Sequence, residues 1–565
     1  MGRLPLGHGS VVRLARRIAL RFAHRFNFPL AGPVLAIGLG IALLGPSDAG
    51  WAQSLATVRA ASEGASRSIP MGIADARHLL GRVGFGPTLG EVEAYALISR
   101  AEAVERLLAD VKTSAGAPPP AWVNEPLMPP RSLREGSVEQ RQAFQQQEIR
   151  RGLELRAWWI GEMLAGPSPL TERMTLFWHN HFTSSQQKVR FVHLMYRQNL
   201  LLREKALGNF ADLLHAVSKD PAMVIYLDNA SNRRDKPNEN FAREVMELFT
   251  LGEGNYSETD IREAARAFTG WSIDPDTGSF LWRPFIHDSG EKTVLGRKGN
   301  FNGDAVLDIL LEQPQAAQWV VGKLWREFVA PDFNREDERA EVHRIARVFR
   351  DSRYDIRTAV KELLLSQAFW AEGNRAALVK SPVDFVVGTL RQFDVRVHDA
   401  MPFALVTAGL GQNLFSPPNV KGWPGGEAWI NSATLLSRKQ FVERLFRGDE
   451  MRGPDTGMAM AEGGEVRGEA ARQGPGTAPA HLRQAQFRAR MSRAVDETRF
   501  DGENWFRRLE DGATHAGSKG SGNAVRGLSL ERFVLASAPV NPVPAGVAGR
   551  ERLRLLTLDP VYQLK

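Results

Sequence analysis

The chain of 565 residues contains no cysteine. That absence excludes a disulfide scaffold, a thiol nucleophile, an iron–sulfur cluster and any zinc site built on thiolates. Strand signals are scarce, which argues against a sheet-based fold. Several catalytic templates are missing too. There is no Gly-x-Ser-x-Gly elbow, no Walker loop, no His-Glu-x-x-His and no Glu-x-x-His pair for a di-iron bundle. Basic residues are in marked excess only at the amino end. The net charge is +8, but residues 1–52 hold six arginines and one aspartate, so the rest carries only +3. The basic pI near 9.7 therefore points to no nucleic-acid partner. A hydrophobic share of 43% with 24% charged residues is that of a globular chain, which excludes wholesale disorder.

The first distinct feature is a leader. Arg3, Arg13, Arg16, Arg17, Arg21 and Arg25 form a basic stretch free of acids. Phe28 to Gly45 follows as an apolar run, then Pro46, Ser47 and small residues ending at Ala52. This pattern predicts a signal peptide over residues 1–52, with export to the periplasm or the extracellular space. The alternative is an uncleaved anchor in the inner membrane formed by residues 28–45, a run at the short edge of spanning length. Arg16-Arg17 leaves open whether the general or the twin-arginine route is used. No later segment approaches spanning length, so no membrane contact is expected beyond the leader.

Residues 53–70 read as a polar linker, and 71–447 as a helical domain. Apolar residues recur at helical spacing from Ile73 to Val83 and again over Glu139 to Leu164, Pro169 to Phe182, Phe210 to Ser218, Phe241 to Leu251 and Pro382 to Arg391. Ser257 with Asp260 reads as a capping box. Trp271-Ser272-Ile273 and Phe280-Leu281-Trp282 flank Asp274 to Gly278 and predict one small hairpin. Residues 448–527 turn to Gly, Ala, Arg, Glu and Gln with few large apolar side chains, the composition of a disordered insertion. Residues 528–565 regain apolar character and read as closing helices. The fold class is thus mainly α: a multi-helical globular body with a small β-hairpin and a low-complexity C-terminal insertion.

Three segments carry polar chemistry. Trp178-His179-Asn180-His181-Phe182 places two imidazoles at i, i+2, which a continuous helix turns apart and a helix end can bring together. Its bland alternative is one histidine capping the helix and one packed in the core. Pro237 to Phe249 puts Glu244 and Glu247 at i, i+3, where two carboxylates can share a cation or an arginine. There the alternative is a solvated face with Arg243 paired to a carboxylate. Asn238 is the expected cap of that helix. His287-Asp288, beside Lys292, supplies either an acid/base pair or a turn. The candidate set is therefore His179, His181, Glu244 and Glu247 as ligands of a divalent transition metal, with His287 and Asp288 as catalytic groups. A loop over Pro417 to Asn431 adds indoles that stack on sugars or fill the core.

These segments, with Ala76 to Pro87, Ala264 to Trp271 and Pro417 to Ile430, resemble the bacterial "domain of unknown function 1800" family over roughly Ile73 to Arg447. The resemblance implies an exported, largely helical protein and transfers no catalytic residue. It also implies a partner, an exported sulfatase-like "domain of unknown function 1501" protein. Two functions follow as expectations. One is a metal-assisted hydrolase or transferase acting on an envelope or extracellular polymer. The other is a non-catalytic envelope protein that binds or assembles its partner. Convergence of the candidate residues in one open pocket favours the first, and scattering or closed ion pairs favour the second.

Overall fold

The amphipathic segments fold as their periodicity requires. The computed structural model describes residues 69–128, 132, 135–447, 498, 500–515 and 529–565. The signal peptide and nearly all of the linker expected over 1–70 lie outside the described residues. Long helices span Val138–Ala165, Pro169–His181, Pro314–Phe328, Glu336–Asp351 and Pro382–Gln392. Their starts follow local chemistry. Ser137, Ser257 and Ser381 cap their helices in reciprocal boxes, and Pro169, Pro314 and Pro382 occupy first turns, where their missing N–H costs nothing. No helix among the described residues is long and apolar enough to cross a membrane.

Among the described residues, sheet is confined to two hairpins. β1 (Trp271–Ile273) pairs antiparallel with β2 (Phe280–Trp282), in register Trp271 to Trp282, as the sequence predicts. Asp274 organises the turn by accepting from Asp276 N (2.9 Å) and Thr277 N (2.8 Å). β3 (Lys292–Val294) and β4 (Arg297–Gly299) form a second hairpin that the sequence reading omits. Its turn residues Leu295 and Gly296 both take positive φ, and leucine there gives no turn signal.

One hydrophobic cluster runs from Ile73 to Tyr562. It includes residues from the segment expected to be unpacked. Phe500 and Trp505 are buried, and the Trp505 indole donates to Gln392 O at 3.2 Å. The helix Gly502–His515 therefore corrects the reading of 448–527 as one low-complexity insertion. A single buried indole gains more from packing than the surrounding polar composition suggests. The rest of that segment, apart from residues 498, 500 and 501, lies outside the described residues. Further along, Leu530–Val534 and Gly549–Leu558 are helical, and Phe533, Leu553 and Tyr562 enter the same core.

Buried ion pairs tie the helices to one another. The Arg203 guanidinium grips Glu172 at 2.7 and 2.8 Å, and the Trp159 indole donates to the same carboxylate at 2.8 Å. A half-exposed bridge holds the helix Phe210–Ser218 to Gly303–Glu312. His215 lies 3.0 Å from Asp304 through Nδ1 and 3.0 Å from Asp308 through Nε2. Hydrogen bonding to Asp304 outweighs the cost of burial, and Asp308 adds to it, so the imidazole is raised above its ordinary value. A raised folded value stabilises fully below the unfolded value near 6.5 and is lost as pH rises through the folded one. The difference in denaturation midpoint between wild type and His215→Ala should thus be larger at about pH 5 than at about pH 9. The bridge contributes about 0.5–1 kcal/mol, reduced by its partial exposure. Equal differences at both pH values would show that the imidazolium contributes nothing.

Candidate functional site

The His179–His181 segment closes a helix that is buried along nearly its whole length. At about 100° per residue, two residues apart is slightly more than a half-turn, so the two imidazoles leave the helix on different sides. His179 lies among Trp159, Phe415 and Trp423, with ring centroids 5.4–5.6 Å away. His181 lies among Trp178 (5.4 Å), Phe182 (4.5 Å) and Phe249 (6.0 Å). Its Nε2 is 3.1 Å from Phe249 O. A carbonyl only accepts, so that nitrogen carries the proton and Nδ1 is a bare lone pair. Burial lowers His179 to about 3. Burial, with Lys323 adding to it, puts His181 well below its ordinary value despite the bond to Phe249. Both rings are therefore neutral at neutral pH and both are packed, so neither acts as a charged helix cap.

The glutamates lie on a helix whose second half widens. Asn240–Glu244 is α-helical and Val245–Thr250 is a π-turn. Leu251 N reaches back five residues to Met246 O at 2.8 Å. Phe241, Val245, Leu248 and Phe249 are buried, as their spacing requires. Asn238 accepts from Asn240 N at 3.0 Å, while the cap position itself is Glu239. Glu247 accepts from the Tyr256 hydroxyl (3.1 Å) and pairs with Lys421 (3.4 Å). Glu244 is half-buried, and burial and then Glu247 push its carboxyl up against the pull of Lys421 and Arg243. Arg243 itself pairs with Glu258 and Glu239, the paired-arginine alternative read from the sequence. Nearby, Asp228 pairs with Lys188 at 2.7 Å and accepts from Asn240 Nδ2 at 3.4 Å.

The loop after Pro417 joins these two helices. Asn180 Oδ1 accepts from Trp423 N at 2.8 Å. Gly422 takes φ +80°, and a Cβ there would lie 2.2 Å from Asn180 Oδ1, so only glycine fits. Trp423 and Trp429 are buried and fill the core. Lys421, next in the chain, reaches Glu247. The loop thus docks on the end of the histidine helix and on the glutamate helix at once. Sequence reasoning missed Asn180 and Lys421, which act across long chain separations, and Tyr256, which reaches Glu247 nine residues back around the Gly252 turn. The only local signal was the position of Asn180 between two histidines.

His287 and Asp288 close the first hairpin instead. Arg266 binds Asp288 at 2.7 and 3.2 Å and holds its carboxyl below the usual range. His287 Nδ1 is 2.9 Å from Thr269 O, and Asp288 N donates to Thr269 Oγ1 at 2.8 Å. Lys292 donates to Asp288 O at 2.5 Å and Gly290 O at 2.9 Å. No hydrogen bond or ion pair among the described residues joins this turn to His179, His181, Glu244 or Glu247.

Comparison with known families matches residues 78–529 to the family described as Protein of unknown function (DUF1800). The chain belongs to the DUF1800 family. The match begins within the Ala76 to Pro87 motif, covers the later motifs and continues through 448–527, past the boundary near Arg447 read from the sequence. Neither the curated proteins nor the solved structures yield a match. In this DUF1800 chain the Trp-His-Asn-His, Asn240 to Glu247 and Pro417 to Ile430 segments assemble at one place, while the His287-Asp288 turn is held separately. Among the described residues, no three His, Asp or Glu side chains group in a way that could hold a metal ion. The four expected ligands His179, His181, Glu244 and Glu247 are not brought together as such a group in this structure. The two imidazoles face different aromatic clusters, and Glu247 is taken by Tyr256 and Lys421. A cavity of about 170 Å³, lined by residues including Gly84, Pro87, Tyr95, Arg106, Pro169 and Arg391, opens at the opposite end of the histidine helix.

Proposed function

We propose that this DUF1800 member is an exported envelope protein that binds and assembles a partner without turning over a substrate. One observation carries this reading: each candidate catalytic or ligand group except Glu244 is closed onto a structural neighbour or packed among rings. The exposed part of the motif cluster is a mixed-charge rim, with Lys421, Asp228 and Lys188 at 64%, 46% and 43% side-chain exposure. Such a rim selects a partner of complementary charge pattern. The partner assigned to it is the exported sulfatase-like protein that the family resemblance implies. Co-purification of the two should succeed, with cross-links at Lys421, and Lys421→Glu should weaken it by about tenfold. Failure of the two proteins to associate at micromolar concentration would overturn the partner.

The enzymatic reading, a hydrolase or transferase acting on an envelope polymer, draws on Glu244. Its raised, half-buried carboxyl beside Glu247 is the pattern of a proton donor. Turnover of a polymer that is lost in Glu244→Gln, with the fold intact, would favour that reading over binding. So would a metal, bound by the purified protein, that is lost in His179→Ala. Export itself predicts that the mature chain isolated from the envelope begins near Gln53. A mature protein that begins at Met1 would instead favour the anchor.

A further inference from the structure

The π-turn ends in carbonyls that no following helical N–H can reach, because Gly252 (φ +80°) turns the chain away. Leu248 O is satisfied from the neighbouring helix Pro314–Phe328. It accepts from the Trp319 indole at 2.8 Å and from Lys323 Nζ at 3.1 Å. Trp319 packs so closely on Gly252 that a Cβ there would lie 2.7 Å from its ring. The same ring stands 5.0 Å from the Lys323 nitrogen.

This is an unusual setting for a lysine. Its hydrogen-bond acceptor is a neutral carbonyl, one side is covered by an indole, and no carboxylate among the described residues lies within ion-pair distance. An ammonium group so placed lacks the anion or the full hydration that its charge requires. Burial, with Arg326 adding like charge, accordingly brings Lys323 down to about 7. The residue as a whole is only partly buried. His179 Nε2 and His181 Nδ1 also lack a partner, but both rings are buried among aromatic side chains. Lys323 is the amine of this cluster that no carboxylate among the described residues pairs.

We propose that Lys323 is a nucleophilic amine that captures small aldehydes as an imine. The nitrogen lone pair bonds to the carbonyl carbon. Both amine hydrogens leave with the carbonyl oxygen as water, and a carbon–nitrogen double bond remains. No electrons are exchanged, so no oxidant or reductant is needed. A desolvated lysine in an apolar setting is the form of this residue suited to such chemistry.

The test uses the whole mature protein, formaldehyde as the aldehyde and cyanoborohydride to reduce the imine, with peptide mapping of the methylated lysines. At about pH 7 an exposed lysine is almost wholly protonated. Lys323 should therefore be modified at least about tenfold faster than Lys298, whose side chain is 68% exposed. Modification of Lys323 at the rate of Lys298 or below would overturn the proposal, whether the cause is a charged amine or a closed one. The comparison is made within wild-type protein, so no variant has to fold.

Discussion

Asp384→Ala is expected to destabilise the protein by about 3–5 kcal/mol, a large share of the stability of a typical domain. Asp384 is 5% exposed and sits at the start of the helix Pro382–Gln392, where it closes the Ser381 capping box. It accepts from Arg173 and, at 2.8 Å, from Lys565 Nζ. Arg173 also donates to Gly84 O, pairs with Glu327 at 3.3 Å, and stacks over Phe85 at 4.3 Å. Removing the one carboxylate leaves two buried cations with only Glu327 to compensate them. The asymmetry between making and breaking a buried pair sets the size of the effect. Burial pushes the Asp384 carboxyl up, but Arg173 and then Lys565 hold it well below the usual range. A depressed folded value stabilises above the unfolded value near 3.8 and is lost as pH falls through the folded one. The cost of the substitution, measured by chemical denaturation, should be fully present at neutral pH and shrink in acid. A cost below about 1 kcal/mol at neutral pH would mean that water replaces the carboxylate.

The second large effect is expected at Gly422. Gly422→Ala places a Cβ 2.2 Å from Asn180 Oδ1 and 2.7 Å from Asn180 O, in a conformation that side chains rarely adopt. The left-handed backbone costs about 1–2 kcal/mol. Loss of the Trp423 N to Asn180 bond adds about 0.5–1.5 kcal/mol. We expect about 2–4 kcal/mol of destabilisation and detachment of the loop that carries Lys421 from Glu247. Gly425→Ala is the internal control. Its φ of +69° and ψ of −174° are also a glycine conformation, but nothing lies within 4 Å of a Cβ, so only a backbone cost of about 1–3 kcal/mol applies. Equal costs at the two glycines, measured by denaturation and by Trp423 fluorescence, would show that contact with Asn180 does not hold the loop.

Much of the secondary structure was legible because it is written locally. The helix Phe210–Ser218 was read at both ends, since its apolar residues keep the 3.6-residue period. The capping box at Ser257 and the hairpin around Asp274 were equally legible, because each is a short-range hydrogen-bonding pattern. Two things were not. The Leu295-Gly296 turn uses a conformation that leucine does not advertise. The π-turn at Val245–Thr250 has the composition of an ordinary helix, and it widens in a setting where Trp319 and Lys323 supply donors to Leu248 O.

The candidate site shows the same division. Sequence alone determined the helical class, the motifs that place the chain in the DUF1800 family, and which faces of the 169–181 and 240–250 helices must be buried. It also showed which residues were rich in chemistry, because residue type and spacing are local properties. The tertiary structure decided what those residues face. It turned His179 and His181 to different aromatic clusters, gave Asp288 to Arg266, and gave Glu247 to Lys421 from a loop more than 170 positions away. It also left Lys323 beside a carbonyl with no anion. The physical reason is that an ionisable group near a core takes whichever partner packing brings within about 3 Å, and that partner is set by the three-dimensional path of the chain, which no local pattern encodes.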